Sequence, residues 1–446
     1  MSTAAGGPAG GPVHVLKDPA PSAHGGADRP DHVAPPPPRS WGAPIALLVF
    51  ALLALGVFGL LAPSGETSTF GISTASDLVQ VDPLALPSKA VGVVLGLLCL
   101  ALAAYAVAQV ARHRRPPAWL VLTFGTAFVL AVLVWTVAGA QISFTQLLQG
   151  TLALAAPLVF GSLSGILCER AGIVNIAIEG QMLAGAFLSA VVASLTDNLY
   201  LGLLAAPVAG LAVGALLAVF TIRYLVDQII VGVVLNVLVL GLTTFLLKRV
   251  LEPDPATWNS PGRFAPVKVP LLGDIPVVGP VVFTQTVVVY LMFAAVVVVH
   301  VALFRTRWGL RVRAVGEHPK AADTVGIAVN AIRRNNVLLG GLVAGLGGAY
   351  FTLGAVGTFS REMTAGSGFI ALAAMIFGRW SPFGAFAAAL LFGFANNLQS
   401  VLGVIGTPIP SEFMLMAPYL ATIFAVAGLV GRVRGPAAAG IPYVKT

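Results

Sequence analysis

A carboxylate and two amides fall inside an otherwise apolar stretch. Glu179 and Gln181 lie just after Asn175 in the run Glu169 to Gln181. If the run is helical, Asn175 and Glu179, four residues apart, share a face. Such side chains are expensive at membrane depth and generally face a cavity or a protein partner. The spacing therefore points to a broken helix that lines or supports the path of a polar solute. Gly172 and Gly180 bracket the run and suit a break at each end. The plainer alternative is a turn whose polar groups satisfy helix ends. Further amides sit in apolar runs at Asn236, Asn396, Asn397 and Gln399. They can line the same path or hydrogen-bond neighbouring helices together.

A second stretch of interest runs from Phe304 to Ile327. Pro319 suits a first helical residue and Gly326 a stop. Between them the pattern predicts a short helix with Ala322 and Val325 on one side and Lys320 and Asp323 available to solvent or a partner. A helix this short does not persist alone. It either lies on the membrane interface or docks a cytoplasmic subunit.

Other chemistry is missing. No GxxxxGK[ST] surrounds any lysine, so the chain carries no phosphate loop. No HExxH or GxSxG occurs. The histidines at 14, 24, 32, 113, 300 and 318 are scattered, and Cys99 and Cys168 have no metal-ligand spacing. These observations argue against an enzyme and against a metal or cofactor held by this chain. A carrier driven by protons or sodium would need a row of intramembrane carboxylates. Only Glu179 and Asp227 stand near apolar runs.

The elements that position these residues follow from composition. The 446 residues are 57% hydrophobic and 9% charged. An ordinary soluble domain has about 25% charge and needs a polar skin. Lipid tolerates this chain, and apolar runs of about 20 residues recur, each long enough to cross a bilayer. They predict an all-α polytopic membrane protein of about twelve helices: 42–62, 90–111, 118–139, 145–167, 181–196, 199–222, 228–248, 281–304, 335–357, 367–378, 383–403 and 412–431. The run 367–378 is short enough for a half-helix. With the N-terminus inside, 19 of the 25 Lys and Arg fall on the cytoplasmic side, as positive charge prefers. These charges flank helices and form no separate basic domain, which argues against nucleic-acid binding. The predicted organisation is a disordered cytoplasmic tail at 1–40, two extra helices within 41–117, a core at 118–434 with the cytoplasmic loop 305–334, and a C-terminal tail at 435–446.

The stretch Glu169-Arg170-Ala171-Gly172-Ile173-Val174-Asn175-Ile176-Ala177-Ile178-Glu179-Gly180 resembles a signature of permease subunits of bacterial ABC importers. The group is the one serving branched-chain amino acids, ribose and nucleosides, and the likeness is greatest to its nucleoside-type branch. Arg313-Ala314-Val315-Gly316-Glu317-His318-Pro319-Lys320-Ala321-Ala322 resembles that group's coupling segment, and Gly368 to Pro382 resembles its late broken helix. The likeness covers roughly 118–431 and implies a ten-helix permease core in the bacterial plasma membrane. It implies a partner ABC ATPase that binds ATP and Mg, a second permease subunit, often different from the first, and an extracytoplasmic substrate-binding lipoprotein. It implies ATPase docking by Gly316, Glu317, Pro319, Lys320, Ala321, Ala322, Asp323 and Val325. Asn175, Glu179, Gln181, Asn236, Asn396 and Asn397 are then the candidates for path or gate. Nucleosides are the implied solute, with ribose or another simple sugar, or branched-chain amino acids, as alternatives, and a secondary carrier behind them.

Overall fold

The computed structural model describes residues 41–73, 80–114, 116–405, 416 and 435–445. The expected tail 1–40 and the expected helix 412–431 lie outside the described residues. Among those described, ten helices are long and apolar enough to cross a membrane. They are α1 Gly42–Leu60, α2 Ser88–Ala111, α3 Trp119–Thr136, α4 Phe144–Glu169, α5 Ile178–Thr196, α6 Leu199–Arg223, α7 Gln228–Leu251 and α8 Val287–Arg305. After α8 come two short helices, α9 Arg307–Glu317 and α10 Pro319–Thr324. The span α11 Val329–Val356, the short α12 Ser367–Phe377 and the span α13 Pro382–Val404 follow. The protein is thus polytopic and all-α in its membrane part, and the short run is the half-length helix its sequence predicts.

Local chemistry sets the helix starts. The Ser143 hydroxyl accepts from the Gln146 N–H at the head of α4, and the Asn198 and Asp227 side chains accept from the first-turn N–H groups of α6 and α7. Two ends differ from expectation. The span expected at 281–304 begins at Val287, because Val278–Val282 forms its own short helix in the preceding loop. The span expected at 335–357 begins at Val329, six residues early, and takes the buried Arg333 into its second turn. That arginine interrupts an apolar pattern, so hydropathy alone placed the start too late.

α4 is the centre of the molecule, with 89% of its most apolar window buried. α11, α13, α12 and α8 pack around it in one cluster that includes Phe160, Leu163, Met292, Met375 and Phe392. Lipid is as apolar as the side chains, so helices associate here through close packing and polar contacts. Glycines 185, 210, 341 and 345 accordingly bring the backbones of α5, α6 and α11 together.

α1, α2 and α3 make a separate bundle with its own core, built on Leu47, Ala51, Cys99, Ala103, Leu120 and Phe124. Helix 118–136, expected to open the permease core, belongs to this bundle. A small sheet joins bundle to core: β1 Thr67–Gly71 pairs antiparallel with β2 Leu84–Pro87 and parallel with β3 Gln141–Ser143, just before α4. Phe70, Val134, Val137 and Ile142 then pack against Leu147 of α4 and Leu402 of α13.

Candidate functional site

The run between α4 and α5 is not helical. α4 ends at Glu169, and Gly172 at φ +90° turns the chain back, a conformation that L side chains resist. Residues 173–177 then run irregularly but buried, with Ile173 and Asn175 at 1% and 0% exposure. At membrane depth such a backbone must find hydrogen-bond partners inside the protein. Amides of α7 supply them. Gln228 Oε1 accepts from the Val174 N–H at 2.7 Å. Asn236 Nδ2 donates to the Ile176 carbonyl at 2.9 Å, and its Oδ1 accepts from the Gly180 N–H at 2.8 Å. Asn236 therefore clamps the break to α7. Gly180 lies in the first turn of α5 and is not a second break.

Because the run is not helical, Asn175 and Glu179 do not share a face. Asn175 Nδ2 donates to Gln181 Oε1 at 3.0 Å and to Ser164 Oγ of α4 at 3.2 Å. Asn175 Oδ1 and Gln181 Nε2 are buried without a protein partner. Glu179 instead faces α12. Its Oε1 accepts from Thr364 Oγ1 at 2.6 Å and from the Gly366 N–H at 2.9 Å, and its Oε2 accepts from the Gly368 N–H at 2.6 Å. One carboxylate thus sits at the head of both α5 and the half-length α12, where each dipole is positive.

Packing against α4 sets the depth of this junction. Gly161 faces Ile178 and Met182 of α5 and Ala371 of α12, so both helices begin about two turns inside the end of α4. α12 then runs beside α4 to its last turn, where Trp380 Nε1 donates to Glu169 Oε2 at 2.6 Å. The segment 357–366 reaches the junction from the opposite end. Asn259 holds it by donating to the Phe359 carbonyl at 2.9 Å and accepting from the Phe359 N–H at 2.6 Å. The N-termini of α5 and α12 therefore meet inside the protein at Glu179.

Asn397 lies elsewhere. Its Nδ2 donates to the Leu147 carbonyl at 2.7 Å, near the other end of α4. Asn396 is half-buried one residue before it on α13. Neither is brought to the Asn175–Gln181 group: Leu147, which Asn397 meets, and Ser164, which Asn175 meets, are about 25 Å apart along α4. Sequence reasoning missed Gln228, Asn259, Thr364 and Trp380. Gln228 was legible as an amide two turns before Asn236, whereas the other three are ordinary loop residues until the chain folds.

The loop Phe304 to Ile327 packs directly on the break. Val312 and Val315 of α9 are fully buried. Gly316 sits against the Arg170 carbonyl so closely that a Cβ there would collide with it. His318 Nδ1 accepts from the Ala321 N–H at 3.1 Å and caps α10, with Pro319 as its first residue. Glu317, Lys320 and Ala321 are exposed and Asp323 is half-buried. Ala322 is buried, but Val325 is 75% exposed. The two were expected on one side, and they part because α10 ends at Thr324 and Gly326 turns away at φ +81°. Arg170 completes the junction. It donates to the Trp380 carbonyl from Nη2 at 3.1 Å and lies over the Phe304 ring, as Arg313 does. Burial lowers the Arg170 guanidinium from its ordinary value, and the Glu317 carboxylate acts in the opposite direction.

A polytopic bundle with an irregular buried turn between two spans, a half-length helix meeting it and a polar loop seated on it has the form of a membrane permease. Residues 147–431 match the family described as branched-chain amino acid transport system / permease component. The chain belongs to this family. It is 42% identical over 315 residues to the guanosine ABC transporter permease protein NupQ of Bacillus subtilis, covering 67% of this chain and 96% of that one. It is also 42% identical over 299 residues to the nucleoside ABC transporter permease protein NupC of Lactococcus lactis, covering 65% and 94%. A putative glucose ABC transporter permease protein of Haloferax volcanii is 36% identical over 253 residues, covering 57% and 76%. No solved structure matches significantly.

Proposed function

We propose that this chain is the membrane-spanning subunit of an ATP-driven importer whose solute is a nucleoside. The observation that carries the ATP-driven part is the seat of Gly316 on Arg170, which joins a solvent-facing loop to a break inside the membrane. A partner ATPase gripping Glu317, Pro319, Lys320, Ala321, Asp323 and Val325 pushes the loop, with Gly316 and Ala322 as its packed base. The Arg170–Ala177 segment shifts, and α5 and α12 move with it through Glu179. The partner holds ATP and Mg, and this chain does none of the hydrolysis. An extracytoplasmic binding lipoprotein delivers the solute, and a second, non-identical permease completes the path. The docking face and the N-terminus are cytoplasmic, since that face gathers most of the positive charge. The protein then resides in the bacterial plasma membrane.

Along the path, Asn175 and Gln181 are the candidates for transient solute contact, because each keeps a buried polar atom unpaired. Glu179 and Asn236 support the gate through the bonds they make to backbone. Asn396 borders the path near the opposite end of α4, and Asn397 holds the wall there.

Nucleosides are favoured over sugars by the higher identity and fuller coverage of the guanosine and nucleoside permeases. The likeness to a putative glucose permease supports the second reading, a simple-sugar importer. Uptake of labelled guanosine, adenosine and uridine by cells with and without the gene separates them, with unlabelled ribose, glucose and leucine as competitors. Nucleoside uptake should fall on deletion and resist the competitors. Unchanged uptake discards the nucleoside assignment and moves sugars to the front.

A further inference from the structure

Residues 435–445 cross the loop of α9 and α10 and also touch the break, Trp380 and α11. Gly435 lies against the Trp380 ring. The Ala438 N–H donates to the Gly316 carbonyl at 2.8 Å, and the Ala438 carbonyl lies beside Gly172. Gly440 meets Val174. The Ile441 carbonyl accepts from Arg333 Nη1 of α11 at 2.9 Å. The Tyr443 ring is buried among Val315 of α9, Ala322 of α10 and Val329 of α11. Arg333 is 2% exposed, with its guanidinium wedged between Gly172 and this segment.

A surface tail that served only to end the chain would not need these contacts. A loop that transmits force does need a second attachment. The short α10 has a single buried side chain, Ala322, so it has little hold of its own on the break. The 435–443 segment adds to this hold by bonding Gly316 and packing Tyr443 on Val315 and Ala322 of the loop, while it packs against Gly172 and Val174 of the break. We propose that residues 435–443 form a strap that couples the docking loop to the interrupted crossing, with Tyr443 and Arg333 as its positioning residues. The strap makes loop and break one rigid lever, so displacement of α10 reaches α5 and α12.

This inference rests on the docking reading above, and the test separates the two. The full transporter, with its ATPase, second permease and binding protein, is reconstituted in liposomes with guanosine as probe. Basal and guanosine-stimulated ATP hydrolysis are measured for Tyr443→Ala, Tyr443→Phe, a chain lacking residues 435–446, and a chain with one glycine inserted after Lys320. The strap predicts that Tyr443→Ala and the shortened chain assemble and keep basal hydrolysis, but lose stimulation about tenfold. Tyr443→Phe, which keeps the ring, retains at least half. Wild-type stimulation in both strap variants with none in the insertion overturns the strap and leaves docking intact. Wild-type stimulation in the insertion as well removes the docking reading itself. Failure of both strap variants to assemble also overturns the proposal, since the segment would then serve folding alone.

Discussion

Glu179 Oε2 and the backbone N–H of Gly368 meet at 2.6 Å, 189 residues apart in the chain. That bond joins the first turn of the span α5 to the first turn of the half-length α12. With the Thr364 and Gly366 bonds it places a single negative charge where two positive helix ends converge. The arrangement explains why an acid can persist inside an apolar bundle. Its charge is met by three donors and two dipoles, a setting in which charge-assisted bonds are strong.

Replacing that acid tests its role. Glu179→Gln keeps one acceptor but turns an NH₂ toward a backbone donor, and Glu179→Ala removes all three bonds. A buried group left without its partner costs about 1–3 kcal/mol. Glu179→Ala should lower the unfolding temperature in detergent more than Glu179→Gln, and both should cut uptake at least tenfold. Uptake that survives the alanine would show that the junction of α5 and α12 can open without affecting transport.

Asn236 offers a cleaner measure of the clamp, because both of its bonds go to backbone. Leucine has the same branched outline, is somewhat bulkier, and makes neither bond. The Ile176 carbonyl and Gly180 N–H would then be orphaned in an apolar setting, at about 1–3 kcal/mol for each group left unpaired. Asn236→Leu should therefore destabilise the folded protein while Asn397→Leu, which loses a single bond to Leu147, should do so about half as much. Equal melting temperatures for the two would contradict the clamp.

The contact of Gly316 with Arg170 permits no added atom. Gly316→Ala must displace the loop or the break, and overpacking of this kind typically costs about 1–3 kcal/mol. The expected result is an assembled transporter whose ATP hydrolysis responds weakly to solute. Gly326→Ala changes a positive-φ turn with open space around it and serves as the control. It should strain the turn locally yet leave the response within about twofold.

Much of this was legible in the residues. Runs of about 20 apolar residues give the spans directly, and a polar Glu179 in such a run marks a special place. Pro319 and Gly326 bound the short helix α10 as their backbone preferences require. What the chain order hides is partnership. Nothing near Glu179 in sequence names Thr364 or Gly368, and the shared face expected for Asn175 and Glu179 depended on a helix that Gly172 interrupts. Hydropathy also misjudged α11, because the buried Arg333 is stabilised by the Ile441 carbonyl far along the chain. The C-terminal segment read as a plain tail, since short runs of Ala, Gly and Pro carry no periodicity.

The N-terminal bundle poses the last question. α1 to α3 hold their own apolar core, and the family match begins only at residue 147. Relatives covered over 94% and 96% of their length align with about two thirds of this chain, so a permease core does not require the rest. Removal of the bundle would bare Leu147 and Leu402, which Val134, Val137 and Ile142 now cover, but lipid can solvate those side chains at little cost. The parallel pairing of β1 with β3 would be lost as well, and β3 is only three residues long. A chain beginning at Gln141 should therefore insert, melt at a somewhat lower temperature and retain uptake within about threefold. Complete loss of uptake in a stably inserted chain would instead make the bundle part of the transport machinery, acting through the sheet that leads into α4.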